Sequence, residues 1–180
     1  SAKLDFFRRR FLFVKPYKVI VLDHIHLKNT GTHQRDAKWV AHFMNQPEVS
    51  GIVINSKVPG HIETYNGKDY QALNGNGSAA IRTLLPANTT ATLIGGTGFE
   101  FWVNDSNYTP LYPPDTIHGS PGRWRIEVQP VTTTDSLVFL HTIEIGDSSN
   151  AAIAGGIAHQ NSYSAGADWD DTLYYFSANG

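Results

Sequence analysis

Three histidines have a spacing that could bind a transition metal. His24 and His26 stand two residues apart in an apolar run, and His42 follows in the next apolar segment. If the first run is a β-strand, His24 and His26 share one face because successive side chains alternate. Imidazole nitrogens are frequent zinc and copper ligands, but spacing fixes no acidic ligand beside them, and Asp23 would point to the opposite face. We therefore predict a polar strand face and no cofactor, and we keep His24, His26 and His42 only as candidate metal ligands.

Arginines and aromatic residues in the second half could recognise an acidic sugar. Arg123 and Arg125 flank Trp124, and Tyr112 lies in a proline-rich segment. Guanidinium groups match the geometry of carboxylate and sulfate, and aromatic faces can stack on a sugar ring. The alternative is structural, because Trp124 is in phase with the apolar Ile126 and would be buried, with the two arginines solvated. We name Tyr112, Arg123, Trp124 and Arg125 as candidate carbohydrate contacts.

Two further motifs look like ligand loops but have simpler interpretations. Residues 95–98 read Gly-Gly-Thr-Gly, yet a strand pattern follows them and not the helix that a phosphate-binding loop requires. Those glycines are predicted to supply positive φ angles for a tight connection. Asp168, Asp170 and Asp171 could bind calcium, but they lack the spacing of a calcium loop, and we predict a solvated turn before a strand.

The composition argues against several classes of protein. The chain has 180 residues, with 14 Lys and Arg against 16 Asp and Glu, and this near-balance argues against a nucleic-acid-binding protein. Aromatic residues make up 12% and charged residues 17%, which is too apolar and too weakly charged for a disordered chain. There is no cysteine, which excludes disulfides and thiolate ligands. No stretch approaches the roughly 20 apolar residues of a membrane-spanning helix, so we expect no membrane span.

The apolar residues alternate with a period of two, which is typical of β-strands. Ten or more short strands, separated by turn residues, predict an all-β fold, an antiparallel β-sandwich forming a single domain over residues 1–180. The strand at 124–129 is predicted to pair with the strand at 137–145. Residues 146–166 are poor in large apolar side chains and are interpreted as a linker or loop, with room for one helical turn at 151–158.

Five motifs, in order along the chain, resemble those of the heparinase II/III-like polysaccharide lyases. The motifs are the apolar-Lys-Pro-apolar segment at 11–23, Trp-Val-Ala-His at 39–42, Thr-Leu-Leu-Pro at 83–86 with the glycine-rich run at 94–103, Gly-Arg-Trp-Arg at 122–125 continuing to Pro130, and Val-Phe-Leu-His at 138–141. Together they span about residues 8–145.

The resemblance implies a multi-domain enzyme that cleaves acidic glycans, such as glycosaminoglycans, by β-elimination. In that family an α/α toroid precedes the β-sandwich domains, and this sequence is similar only to the later β part, so the catalytic His and Tyr motifs would lie upstream. We therefore expect an accessory β-sandwich fragment of a larger periplasmic or extracellular protein, not catalytic alone. Its expected partners are an acidic polysaccharide and the upstream toroid. The alternatives are a self-standing, lectin-like carbohydrate-binding module and a structural or assembly protein.

Overall fold

A computed structural model describes residues 3–28, 36–108, 122–147, 154–161 and 164–177. Within these residues the chain forms sixteen β-strands and no helix, and therefore no helix that could cross a membrane. The strands are β1 (Leu4–Val14), β2 (Lys18–Leu27), β3 (Trp39–Phe43), β4 (Glu48–Val49), β5 (Val53–Val58), β6 (Ile62–Tyr65), β7 (Asp69–Asn74), β8 (Gly77–Leu85), β9 (Thr89–Gly95), β10 (Trp102–Val103), β11 (Ser106–Asn107), β12 (Trp124–Pro130), β13 (Ser136–Asp147), β14 (Ile157–Gln160), β15 (Ser164–Trp169) and β16 (Thr172–Ser177).

Two antiparallel sheets enclose the main hydrophobic core. The first sheet has the strand order β1-β2-β13-β8-β7-β4, and the second has the order β3-β12-β9-β6-β5. Their facing sides bury alternate residues of each strand, such as Ile25 on β2, Ile126 on β12 and Phe139 on β13. Burying such side chains contributes about 1.5–3 kcal/mol each. The predicted all-β, antiparallel sandwich is therefore confirmed.

A third sheet covers the other face of the first one. It has the order β14-β15-β16, and its alanines Ala165 and Ala167 pack with Trp169 against Ile20 and Leu140 of the first sheet. Because alanine side chains are short, the two sheets can approach closely at this point. The prediction of a linker or loop over 146–166 is therefore wrong for its described C-terminal part, which forms β14 and the start of β15.

The predicted pairing of the strands at 124–129 and 137–145, β12 and β13, is wrong. Strands β12 and β13 do not form a hairpin, because β12 pairs with β3 and β9 while β13 pairs with β2 and β8. Residues 131–135 instead carry the chain from the second sheet to the first, where the amide of Leu27 donates to the carbonyl of Asp135 at 2.7 Å. Strands β5 and β6 form an antiparallel hairpin around Pro59 and Gly60.

Two polar groups are buried inside the sandwich. His141 on β13 is fully buried, its Nδ1 lies 3.1 Å from Oγ1 of Thr83, and the same hydroxyl lies 3.1 Å from the hydroxyl of Tyr70. At the β1 edge, the guanidinium of Arg9 donates two hydrogen bonds of 2.6 Å to the buried carboxylate of Asp23. Asp23 thus has the partner that burial of a polar side chain requires, whereas His141 has one at Nδ1 only, and its buried Nε2 has no hydrogen-bond partner among the described residues.

Candidate functional site

The outer face of the second sheet carries a charged pair at its centre. On β12, Ile126 and Val128 point into the core, so alternation directs Arg125 and Glu127 to the outside. Nε of Arg125 donates to Oε1 of Glu127 at 2.7 Å, and both side chains are largely covered, with 12% and 16% of their surface exposed. This pair forms the floor of a groove.

A short β-ribbon, formed by β10 and β11, stands beside this floor. Its turn residues Asn104 and Asp105 both have positive φ angles, 48° and 62°, which short polar side chains tolerate. Nη2 of Arg125 donates to the carbonyl of Trp102, and Nζ of Lys57 donates to the carboxylate of Asp105. Two contacts thus join the ribbon to the sheet, one from the largely covered Arg125 and one from the exposed Lys57.

The space between the ribbon and the sheet is a groove of about 990 Å³. We call it the sheet groove; its described lining includes the floor residues Arg125 and Glu127 and the aromatic residues Phe101, Trp102 and Tyr108. This volume lies at the upper end of the range for small-molecule sites, which is about 300–1,000 Å³. Aromatic faces and planar polar groups side by side are the surface that a sugar ring contacts, since its C–H face stacks while its hydroxyls form hydrogen bonds.

The carboxylates in the groove are held in their charged form. Burial alone would raise the pKa of Glu127, but hydrogen bonds from Arg125 and Lys38 outweigh it and lower that pKa. The pKa of Glu100 is lowered mainly by its own backbone amide, with smaller contributions that include the amide of Gly98 and the charge of Arg123. A general acid needs the opposite, a raised pKa, so these two carboxylates suit binding and not proton donation.

The predicted carbohydrate contacts fall in different places. Arg125 lies in the floor of the sheet groove, and Arg123 is exposed near Glu100. Trp124 lies on the opposite face of β12, where it packs against the main core, so the structural alternative for this residue describes its position. Tyr112 lies outside the described residues and stays a prediction.

The three candidate metal-ligating histidines do not come together in the fold. His24 and His26 share one face of β2, as predicted, in the first sheet, whereas His42 lies on the outer face of β3 in the second sheet. His26 is instead 2.9 Å from the carboxylate of Asp5 and stacks on Phe6. In the part of the chain that the structure describes, no three His, Cys, Asp or Glu side chains form a metal-binding group.

The glycine run at 95–98 and the aspartates at 168–171 lie where one strand ends and the connection to the next begins. Gly96 and Gly98 both have φ of +84°, and a Cβ on Gly96 would lie 3.0 Å from the ring of Trp124, so glycine is needed there for conformation and for space. Asp170 and Asp171 have φ of 50° and 57° and form the turn between β15 and β16. Gly95 ends β9 and residues 96–101 form bends and turns, so the strand predicted after the glycines is limited to β10. Asp170 and Asp171 form the predicted turn, whereas Asp168 belongs to β15.

Several groove residues were not predicted from the sequence. Glu127 on β12 and Lys38, the residue before β3, form an ion pair at 3.0 Å, and Trp102 and Tyr108 add aromatic side chains to the lining of the same groove. Strand alternation could have found Glu127, because it lies two residues from Arg125. No pattern in the sequence places the β10–β11 ribbon over the second sheet.

Comparison with known proteins does not name a relative. No model of a known protein family matches this chain, and no curated protein sequence matches it. Function is therefore argued from the geometry of the sheet groove together with the resemblance of the five motifs.

Proposed function

We propose that this chain is an accessory β-sandwich domain of a polysaccharide lyase similar to the heparinase II/III-like enzymes. In this proposal it binds saccharide in the sheet groove and does not cleave it alone. Its partners are an acidic polysaccharide and an upstream toroidal catalytic domain, and the protein works in the periplasm or outside the cell. The alternative is a self-standing carbohydrate-binding module that uses the same groove.

The observation that carries the proposal is the sheet groove itself. A rigid β-sheet presents the hydrogen-bonded pair Arg125–Glu127 beside the aromatic side chains of Trp102 and Tyr108. Tyr108 is 59% exposed, so one face of its ring is open to a ligand. Sites on rigid elements hold their polar groups in place and lose little entropy on binding.

Cationic side chains at the rim of the sheet groove could form ion pairs with an acidic glycan. Lys57 and Asp105 form an ion pair whose side chains are 55% and 73% exposed. Exposed ion pairs contribute only about 0–1 kcal/mol, so a uronate or sulfate group could replace Asp105 as the partner of Lys57 at little cost. The exposed Arg123 adds a guanidinium charge near Glu100, which also lines the groove.

The edge strand β1 supports the accessory role. Phe7, Phe11 and Phe13 stand on one face of β1 and are 50–66% exposed, and the guanidinium of Arg9 lies over the rings of Phe7 and Phe11. A row of exposed aromatic side chains on one strand marks an interaction surface. In a multi-domain lyase the neighbouring domain would cover it.

Binding to a polysaccharide panel tests the proposal. The isolated chain is titrated with heparin, heparan sulfate, alginate, hyaluronan and the neutral polysaccharide dextran by calorimetry. We expect an acidic glycan to bind, and Trp102→Ala or Tyr108→Ala to weaken that binding roughly tenfold because a stacking face is lost. Tyr17→Ala removes a 61% exposed tyrosine from the β1–β2 turn and serves as the matched control. Absence of binding to every glycan would refute saccharide recognition.

Two further measurements separate the alternatives. Absorbance of the unsaturated product reports β-elimination, and turnover by the isolated chain would refute the non-catalytic role. The coding sequence upstream of Ser1 is expected to encode helical repeats of a toroid, and an upstream sequence without them would favour the self-standing module. Sedimentation of a concentration-independent monomer is expected, whereas self-association through β1 would favour an assembly protein.

A further inference from the structure

A second concave site lies on the other side of the first sheet, away from the sheet groove. It is a cavity of about 210 Å³ between the first sheet and the third sheet, which we call the arginine cleft. Its basic lining residues are Arg8 and Arg10 on β1 and His24 on β2, and its described lining contains no carboxylate. A cavity of this size accommodates one small group and not an oligosaccharide.

Strand alternation brings the two arginines together. The sequence has three arginines in a row, and the middle one, Arg9, lies on the face of the sheet that carries Asp23, whose carboxylate binds it at 2.6 Å. Arg8 and Arg10 therefore point to the opposite face, with their Cβ atoms about 7 Å apart along the strand. Two guanidinium groups at this spacing can contact one oxyanion from two sides, and each offers the parallel N–H donors that match its oxygen atoms.

The third sheet completes the cleft with uncharged hydrogen-bonding groups. Gln160, Asn161 and Ser164 line it from the side of β14 and β15, and Ser136 lines it from β13. Nη1 of Arg10 donates to the carbonyl of Ser177 on β16, which holds its guanidinium in place. That bond uses one of the five N–H donors of an arginine.

The charges at the cleft act on His24. Its pKa is lowered first by burial and then by the charges of Arg8, Arg10 and His26. The other lining residues, on β13, β14, β15 and β16, are uncharged. The nearby carboxylate on this face is Asp5, which is hydrogen-bonded with His26 at 2.9 Å. The imidazole of His24 therefore lies in a locally positive electrostatic potential.

We propose that the arginine cleft is a binding site for a single oxyanion, a sulfate, phosphate or carboxylate group, held by Arg8, Arg10 and the polar edge of the third sheet. The ligand is either a free inorganic anion or the anionic substituent of a sugar. This site goes beyond the proposed function, because it lies on a different sheet from the sheet groove. The bound anion would also link the third sheet to the first.

Calorimetry with sodium sulfate, sodium phosphate, glucuronate and glucosamine 6-sulfate tests the proposal at an ionic strength kept constant with sodium chloride. We expect saturable binding, and we expect Arg8→Gln and Arg10→Gln to weaken it by about tenfold or more, since each removes a charge-assisted contact. Arg10→Lys keeps the charge and loses the two parallel donors, so it should weaken binding less than Arg10→Gln. Lys15→Gln removes an exposed cation from the β1–β2 turn, outside both sites, and should bind like the wild type. Tighter binding of the sugar-borne anions than of inorganic sulfate would identify a sugar as the source, and the reverse would identify a free anion.

The NMR titration of His24 gives an independent readout. A bound anion favours the imidazolium form, so we expect the pKa of His24 to rise when sulfate is added at constant ionic strength. The proposal is overturned if sulfate acts no differently from chloride, or if both arginine variants, folded by circular dichroism, bind as the wild type does. Trp102→Ala in the sheet groove should leave oxyanion binding unchanged, so the two proposals can fail separately.

Discussion

A single buried histidine should make this protein sensitive to mild acid. His141 is fully enclosed between the first and second sheets, where it stacks on Trp39 with ring centroids 3.8 Å apart. Burial, with a smaller contribution from the charge of Arg9, lowers its pKa from the ordinary value of 6.5 to about 3. The folded protein therefore holds a neutral imidazole at pH values where the unfolded chain binds a proton.

The sign and size of the effect follow from this difference. Above pH 6.5 the histidine is neutral in both states and adds no pH dependence. Below pH 6.5 only the unfolded state takes up the proton, so the free energy of unfolding falls by about 1.4 kcal/mol for each pH unit until the folded pKa is reached. Between pH 6.5 and pH 5 the loss from His141 is about 2 kcal/mol, a large part of a typical stability of roughly 5–15 kcal/mol.

Urea unfolding at pH 7, 6 and 5, followed by tryptophan fluorescence, measures this loss. His141→Gln removes the titrating group and keeps a polar partner for Thr83, so the variant is less stable at pH 7 but should lose about 2 kcal/mol less than the wild type on going to pH 5. His42→Gln removes a histidine from an exposed position and controls for the substitution. Parallel stability curves of the wild type and His141→Gln from pH 7 to pH 5 would refute the reasoning.

Two further predictions concern the edge strand and a crowded turn. Arg9→Met should destabilise the fold by about 3 kcal/mol in urea unfolding, because it leaves the carboxylate of Asp23 buried and unpaired. The double variant Arg9→Met/Asp23→Leu removes that carboxylate and should regain most of the lost stability. A double variant that is no more stable than Arg9→Met would contradict this explanation. Gly67→Ala should cost roughly 3 kcal/mol, since its Cβ would lie 1.8 Å from the carbonyl oxygen of Ser50. Gly60→Ala, with φ of +75° but open space, should cost only about 1 kcal/mol in thermal unfolding, and equal losses would contradict the steric argument.

The alternation of side chains predicted most of the strands but not their partners. On β12, the period of two correctly separates Ile126, which is buried, from Arg125, which faces the sheet groove. The same period says nothing about whether β12 and β13 pair with each other, because a link such as 131–135 can close a hairpin or cross between sheets. Here Trp39 on β3 pairs with Val128 of β12, and the chain crosses.

The third sheet was missed for a different physical reason. Residues 154–167 are rich in Gly and Ala, which is also the composition of a flexible linker. In the fold, Ala165 and Ala167 are buried because short side chains let β15 lie close to the first sheet, and Gly166 has no room for a Cβ beside the carbonyl of Tyr174 at 2.1 Å. Small residues thus form a buried contact here. A Gly- and Ala-rich strand of this kind differs from a flexible linker of the same composition only in the sheet against which it packs.

The near-neutral composition also concealed the local charge of the arginine cleft. A net charge of −2 argues against a surface that binds nucleic acid, but it does not describe how the fold distributes its charges. Several cations are matched by carboxylates on the same strand, on a neighbouring strand or on another sheet: Arg125 with Glu127, Arg9 with Asp23, Arg82 with Asp69 and Lys18 with Asp170. The described lining of the cleft holds two guanidinium groups and no carboxylate. Because Arg9 lies on one face of β1 and Arg8 and Arg10 lie on the other, the same three letters give an ion pair with the buried Asp23 on one face and the proposed anion site on the other.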